Sequence, residues 1–157
     1  MSLSISNLLD LPIGTLEPAS PVSVETGTAL SVVIEKLQRH RIGCVLVTQD
    51  NRLEGIITER DLSLKVLGCG VDINSAIVDD FMTIDPECLQ LYDPIAFAMN
   101  RMNLGGFRHV PLVDKSMRPV GIISVKDIVT LLVDEFPSAV MNLPPEPRIY
   151  PAAREGA

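Results

Sequence analysis

The octapeptide GIITERDL at residues 55–62 returns as GIISVKDI at residues 121–128. Each copy reads as a glycine, two isoleucines, a hydroxyl-bearing residue, two variable positions, an aspartate and an apolar residue. Such a pattern indicates a strand that leads directly into a helix. The backbone N–H groups at a helix start can bind phosphate, so a nucleotide is the first ligand to consider.

The repeat extends beyond the octapeptide, because one apolar helix face occurs upstream of each copy. Its positions are Leu30, Val33, Ile34 and Leu37 in the first copy, and Ile95, Ala98, Met99 and Met102 in the second. Polar segments at residues 49–52 and 114–118 each separate two short apolar runs, which is typical of a β-hairpin. Each copy is therefore predicted to run strand, helix, strand, hairpin turn, strand, helix.

The predicted elements are residues 22–24, 29–40, 44–47, 53–57 and 62–67 in the first copy, and 88–91, 94–102, 110–113, 120–123 and 128–135 in the second. The fold class is α/β (α+β): two β-α-β-β-α repeats with small three-stranded sheets flanked by helices. Because one such repeat buries little surface, the two are expected to pack about a pseudo-twofold axis. The predicted domains are an N-terminal segment at 1–17, repeats at 18–75 and 76–137, and a proline-rich tail at 138–157.

Composition excludes several classes of protein. A formal net charge of −7 disfavours broad nucleic-acid binding, which needs basic surfaces. Charges interrupt every apolar run before it could span a bilayer, and the first residues lack a secretory signal, so no membrane association is expected. The three cysteines are widely spaced and only two histidines accompany them, so we predict neither disulfides nor a metal site, and a cytoplasmic location.

The chain resembles a tandem pair of cystathionine-β-synthase (CBS) domains, also called a Bateman module. The family pattern of glycine, two apolar residues, Ser or Thr, two variable residues and Asp is met twice, by Gly55, Thr58 and Asp61 and by Gly121, Ser124 and Asp127. FRHVPLVD at residues 107–114 resembles the family's strand entry, and DDFMTIDPE at residues 79–87 resembles its opening. The resemblance covers roughly residues 18–137.

The resemblance implies two clefts between the copies that bind an adenosine-containing ligand, AMP, ADP or ATP, with or without Mg²⁺, in a homodimeric disc. Asp61 and Asp127 would accept hydrogen bonds from ribose hydroxyls, and Thr58 and Ser124 would lie beside the ribose and phosphate. By the pseudo-twofold rule, the other copy closes each cleft: Thr83, Cys88, Phe107 and Arg108 close the first, and Val22, Ile42 and Gly43 close the second.

The chemistry of the residues agrees with that implication. An ionised aspartate only accepts hydrogen bonds, and a hydrogen bond to a charged partner contributes about 1.5 to 3 kcal/mol. Strand isoleucines can wall an adenine pocket, with Ile57 and Ile123 as the candidates beside Ile56 and Ile122. The cations nearest the repeated segments are Arg60, Lys126 and Arg108, which could neutralise phosphate.

Plainer interpretations exist for the same residues. Thr58 with Asp61, and Ser124 with Asp127, also have the spacing of a helix capping box, and a single such tetrad is more often structural. Two copies at the same place in a larger repeat favour ligand binding, and both roles can coexist. Arg108 is equally well read as a phosphate ligand or as a solvated residue at the start of a strand, and His109 is expected to face a helix or solvent.

We therefore predict a non-enzymatic regulatory module that senses an adenosine nucleotide and signals its occupancy to a partner protein. The alternative is a ligand-free assembly or adaptor module that acts through its dimer surfaces and the C-terminal tail. S-adenosylmethionine, NAD and diadenosine compounds share the adenosine half, so the sequence leaves the ligand open among them. An enzyme is the weakest of the options, because no nucleophile is paired with a base.

Overall fold

Both copies of the motif end a β-hairpin and begin a helix. The computed structural model describes residues 4–137. Its helices are α1 (Ile5–Leu9), α2 (Leu30–His40), α3 (Glu59–Lys65), α4 (Ile95–Gly105) and α5 (Val125–Glu135). Its strands are β1 (Ser23–Glu25), β2 (Cys44–Gln49), β3 (Arg52–Thr58), β4 (Thr83–Ile84), β5 (His109–Val113) and β6 (Pro119–Ser124). The predicted class, mixed α/β with small sheets flanked by helices, is confirmed.

The two hairpins are the centres of the two halves. In the first, β2 and β3 pair antiparallel across a two-residue loop, Asp50 and Asn51, whose φ angles of 50° and 63° suit a tight hairpin turn. In the second, β5 and β6 pair antiparallel, with His109 opposite Ser124. Both hairpins therefore deliver a hydroxyl-bearing residue to the start of the following helix.

Each hairpin is extended by the segment that leads into the other copy. The strand β4 precedes the second copy, yet it pairs antiparallel with β3, placing Gly55 opposite Ile84 and Ile56 opposite Thr83. Ala19 precedes the first copy and forms an antiparallel bridge with Ile122 on β6. The exchange is reciprocal, as a pseudo-twofold arrangement requires, and it turns each strand-to-helix junction towards the other copy.

The two motif glycines make room for these crossing segments. A Cβ atom on Gly55 would lie 3.0 Å from the carbonyl oxygen of Thr83 and would collide with the Met82 side chain. A Cβ atom on Gly121 would lie 3.3 Å from Cβ of Pro18. The repeated glycine therefore has a packing role, the close approach of another strand.

The number of strands differs from the prediction of three per sheet. The first sheet has four strands in the order β1-β2-β3-β4, whereas the second contains only β5 and β6. The strand predicted at residues 88–91 is reduced to a single parallel bridge between Leu89 and Leu112.

Proline explains the loss of that strand. In the first copy, the N–H group of Leu46 donates to the carbonyl of Val22 and supports the pairing of β1 with β2. Pro111 stands at the equivalent place in β5, since Cys44 faces Thr58 as His109 faces Ser124. A proline has no N–H group to donate, so the ladder cannot extend upstream of Leu89.

The hydrophobic cores confirm the predicted helix faces and add an unexpected member. Among the predicted face positions, the most deeply buried are Leu30, Val33 and Leu37 on α2, and Ile95, Ala98 and Met102 on α4. The N-terminal segment predicted at residues 1–17 packs on the second core through Ile13, which is completely buried. Its backbone is anchored there as well, because the Ile13 N–H donates to the Asp93 carbonyl at 2.9 Å.

The proline-rich tail predicted at residues 138–157 lies outside the described residues. Within residues 4–137, no helix is both long enough and apolar enough to cross a bilayer.

We expect Gly55→Ala to lower the free energy of unfolding by about 1 to 3 kcal/mol, the usual cost of overpacking, because the new methyl group faces a backbone carbonyl. Gly121→Ala is the matched control and should cost less, since its neighbours are a leucine methyl group and a proline ring carbon that can shift. Urea unfolding of both variants measures the difference. Equal stability of the wild type and Gly55→Ala would show that β4 is not held against β3.

Candidate functional site

Two clefts open at the junctions where β3 meets α3 and β6 meets α5. We name them the Asp61 cleft, of about 470 Å³, and the Asp127 cleft, of about 370 Å³. The Asp61 cleft combines the start of α3 with residues 83–87 and 105–109 from the second half. The Asp127 cleft combines the start of α5 with residues 19–22 and 41–44 from the first half. Each cleft is therefore formed by both copies.

Reciprocal capping boxes hold the two motif aspartates at the helix starts. Oδ2 of Asp61 accepts hydrogen bonds from the Thr58 N–H at 2.9 Å and the Thr58 hydroxyl at 2.8 Å, while the Asp61 N–H donates to the Thr58 hydroxyl. Ser124 and Asp127 repeat the arrangement, with distances of 2.6 Å and 2.7 Å to Oδ2 of Asp127. The capping interpretation is thus correct, and it uses one oxygen of each carboxylate.

The second oxygens differ between the copies. Oδ1 of Asp61 lies 2.9 Å from Nζ of Lys65, which also donates to the Phe81 carbonyl at 2.8 Å. Four residues after Asp127 the chain has Leu131, and among the described residues Oδ1 of Asp127 has no protein partner. Asp127 therefore offers an unoccupied acceptor, whereas that of Asp61 is shared with a lysine.

The surroundings of Asp61 keep its carboxylate ionised. Burial raises the pKa of this group, but hydrogen bonds from Lys65 and Thr58 and the charge of Lys65 outweigh burial, so the pKa lies below its ordinary value. The side chain is only 15% exposed. At neutral pH it is an acceptor and not a donor.

Most of the residues predicted for the site line one of the clefts. Those along the Asp61 cleft are Thr58, Arg60, Asp61, Thr83, Phe107 and Arg108. Those along the Asp127 cleft are Val22, Ile42, Gly43, Ser124, Lys126, Asp127 and again Arg108.

Three predicted residues lie outside the clefts. Ile57 and Ile123 are completely buried in the two cores, because adjacent strand residues point to opposite faces. Their neighbours Ile56 and Ile122 line the clefts instead. Cys88 packs against a third apolar cluster beside the hairpin of the first copy, so it does not line the Asp61 cleft.

Sequence reasoning missed the position of His109. This residue lines both clefts, as Arg108 does, although we expected it to face a helix or solvent. Gly43 makes this possible, because a Cβ atom there would lie 2.9 Å from Cε1 of His109. Burial, together with the nearby Arg108 charge, lowers the pKa of His109 below its ordinary value, so the imidazole is neutral at neutral pH. The contact depends on how the two repeats pack against each other, and the sequence carries no local signal for that packing.

Other missed residues are charged. Arg41, at the C-terminal end of α2, lines the Asp127 cleft, and Glu59, Asp85 and Glu87 line the Asp61 cleft. Arg41 directly precedes Ile42 and Gly43, which were predicted to line this cleft. That proximity in the sequence could have indicated its place there. Within residues 4–137, no three His, Cys, Asp or Glu side chains are grouped as metal ligands.

A family model of the CBS domain matches the chain twice, over residues 16–68 and 78–134. The chain belongs to the CBS-domain family. Together with the fold, this makes it a CBS domain pair, a regulatory module.

Two curated relatives are much longer than this CBS domain pair. It is 27% identical over 116 residues to the CBS domain-containing protein CBSCBSPB3 of Arabidopsis thaliana, across 74% of this chain and 19% of that protein. It is 29% identical over 130 residues to the meiotically up-regulated gene 70 protein of Schizosaccharomyces pombe, across 83% of this chain and 17% of that protein. The chain thus spans less than a fifth of the length of these two relatives.

Solved CBS structures share the fold. A CBS-domain containing protein from Agrobacterium tumefaciens is 32% identical, with a TM-score of 0.69 over 76% of this chain and 97% of that one. A CBS domain pair crystallised with 5′-methylthioadenosine and S-adenosyl-L-methionine has a TM-score of 0.71 over 79% of this chain and 97% of that one. At 21% identity, the second likeness concerns the fold alone.

We expect Lys65→Met to raise the pKa of Asp61, because the variant loses both the hydrogen bond and the positive charge at Oδ1. Carboxyl-carbon NMR titration measures the shift, with Lys36→Met as a control on another helix. A folded-state pKa below the unfolded value stabilises the protein above the unfolded pKa, and this contribution is lost as pH falls through the folded value. Lys65→Met should therefore lose less stability in acid, whereas an unchanged Asp61 pKa would contradict the ion pair.

Proposed function

We propose that this CBS domain pair binds adenosine-containing nucleotides such as AMP, ADP or ATP in its two clefts and signals their occupancy to a partner protein. The observation that carries the proposal is the pair of capped aspartates, each at a helix start and each facing apolar residues of the other copy. This arrangement combines acceptors for a ribose, walls for a base and a helix dipole for a phosphate.

The ribose is proposed to bind at the motif aspartates. A carboxylate oxygen left over from a capping box can accept from ribose hydroxyls, and each such hydrogen bond contributes about 1.5 to 3 kcal/mol. Oδ1 of Asp127 is available without rearrangement, whereas Oδ1 of Asp61 has to be shared with Lys65. This supports two sites of unequal affinity.

The base is proposed to lie between residues of the two copies. In the Asp127 cleft, the apolar lining includes Val22 and Ile42 of the first copy and Ile122 of the second. In the Asp61 cleft, it includes Ile56 of the first copy and Phe107 of the second, which offers an aromatic surface for stacking. An adenosine ligand is also what a CBS domain pair of the same fold holds in its crystal structure.

Signalling is proposed to follow from this shared construction. A ligand that contacts both copies favours the relative position of the copies that fits it best, and it can shift an equilibrium only by its difference in affinity for the two arrangements. The predicted homodimer offers a second level of response. Large apolar side chains exposed on the helices, which a second subunit could cover, include Leu64 on α3, Phe97 and Leu104 on α4 and Val129 on α5.

A cytoplasmic location, the absence of nucleic-acid binding and an accompanying Mg²⁺ ion are proposals that accompany the nucleotide hypothesis. The alternative, an adaptor that acts through its dimer surfaces and the C-terminal tail, stays a prediction, because residues 138–157 of the tail lie outside the described residues.

Calorimetric titration with AMP, ADP and ATP tests the proposal, and we expect Asp61→Asn and Asp127→Asn each to weaken one binding event on the order of tenfold. Ser4→Ala is the matched control, because it removes the capping hydroxyl at the start of α1, outside both clefts. Its cost should appear mainly in stability, at about 1 kcal/mol.

Two results would contradict the proposal. One is the absence of heat and of any thermal shift at millimolar concentrations of all three nucleotides. The other is binding of wild-type strength by both Asn variants, provided that thermal unfolding shows them to be folded.

A further inference from the structure

The two clefts differ in charge more than the repeated motif suggests. Resting on the proposed function, we propose that they divide adenosine ligands by charge. The Asp127 cleft takes ligands with a phosphate, and the Asp61 cleft takes adenosine derivatives without one.

The Asp127 cleft is electropositive. Among residues 4–137, three cationic side chains line it, Arg41, Arg108 and Lys126, against one carboxylate, Asp127. The fourth basic side chain there, His109, is neutral at neutral pH because it is buried. A phosphate dianion at the start of α5 would therefore meet an excess of positive charge in addition to the helix dipole.

The Asp61 cleft has no such excess. Its lining includes two cations, Arg60 and Arg108, and four carboxylates, Glu59, Asp61, Asp85 and Glu87. Two of these carboxylates have partners outside the lining: Asp61 is 2.9 Å from Lys65, and Glu87 is 3.4 Å from Arg101. Even with both counted as neutralised, the remaining charges only balance, so a phosphate gains nothing from the charge of this cleft.

Arg108 does not create the difference, because it lines both clefts. The difference depends on Arg41 and Lys126 on one side and on Asp85 and Glu87 on the other. These four residues are exposed, so they can be changed with little effect on folding.

The apolar surface of the Asp61 cleft favours the same division. Phe107 and Pro86 contribute to this surface. A neutral or cationic group at the 5′ position of adenosine can pack against this apolar surface. A phosphate there would have to lie beside Asp85 or Glu87.

The test compares AMP with adenosine, which differ only by the phosphate. Asp61→Asn reports on the Asp127 cleft, and Asp127→Asn reports on the Asp61 cleft. By calorimetry at low salt, we expect Asp61→Asn to bind AMP at least about tenfold more tightly than adenosine, and Asp127→Asn to bind adenosine at least as tightly as AMP. Added salt should reduce the first preference, because it is electrostatic.

Matched variants neutralise the charged side chains that distinguish the two clefts. In the Asp61→Asn background, the double change Arg41→Gln and Lys126→Gln should remove the preference for AMP. In the Asp127→Asn background, Asp85→Asn with Glu87→Gln should create one. Lys36→Gln removes a cation on α2 outside both clefts and should change neither ratio.

The possible results separate the charge division from the proposed function. Equal ratios of AMP to adenosine affinity in the two clefts, or the opposite order, would overturn the charge division and leave the proposed function intact. No binding of AMP, ADP, ATP or adenosine by the folded wild-type protein would overturn both. Should an Asn variant not fold, amide shifts of the wild type give the same answer: AMP should perturb Lys126 first, and adenosine Arg60 first.

Discussion

The crossing of one copy's leading segment over the other copy's hairpin is the constraint on which the rest of the structure depends. β4 pairs with β3 at Gly55, and Ala19 bridges to β6 next to Gly121. A Cβ atom at position 55 would lie only 3.0 Å from the Thr83 carbonyl oxygen, so this close pairing favours a residue without a side chain. Because the crossing occurs three residues before each helix start, it brings the other copy to the mouth of each junction. Both clefts follow from this placement.

The capping boxes place a carboxylate at each strand-to-helix junction. Each capping aspartate is held at the helix start by hydrogen bonds within its own copy, so its carboxylate is positioned without a ligand. The two copies reach this arrangement with nearly identical geometry, and they differ in what surrounds it. Lys65 occupies the free oxygen in one copy, and Leu131 leaves it open in the other. The two copies of the motif therefore form two different clefts, because the residues outside the motif differ.

Much of the fold could be predicted because the signals are local. Helix periodicity, hairpin loops and the capping tetrads are each determined by residues near one another in the chain. The missing strand at residues 88–91 depended on Pro111, which is visible in the sequence but whose partner is known only once the register is known. The choice between Ile56 and Ile57 as a cleft wall likewise depended on which face of β3 meets the core. The place of Ile13 in the second core and the contact of His109 with both clefts are tertiary facts without a local signal.

The central claim is that a single adenosine ligand is held by both copies at once. Isotope-filtered NOE spectroscopy of the ¹³C-labelled protein with unlabelled AMP tests it most directly. The account predicts that one bound AMP shows NOEs from its adenine protons to the methyl groups of Val22 or Ile42, and from its ribose protons to Ser124 or Asp127. NOEs confined to one copy, or to a surface away from both clefts, would contradict it.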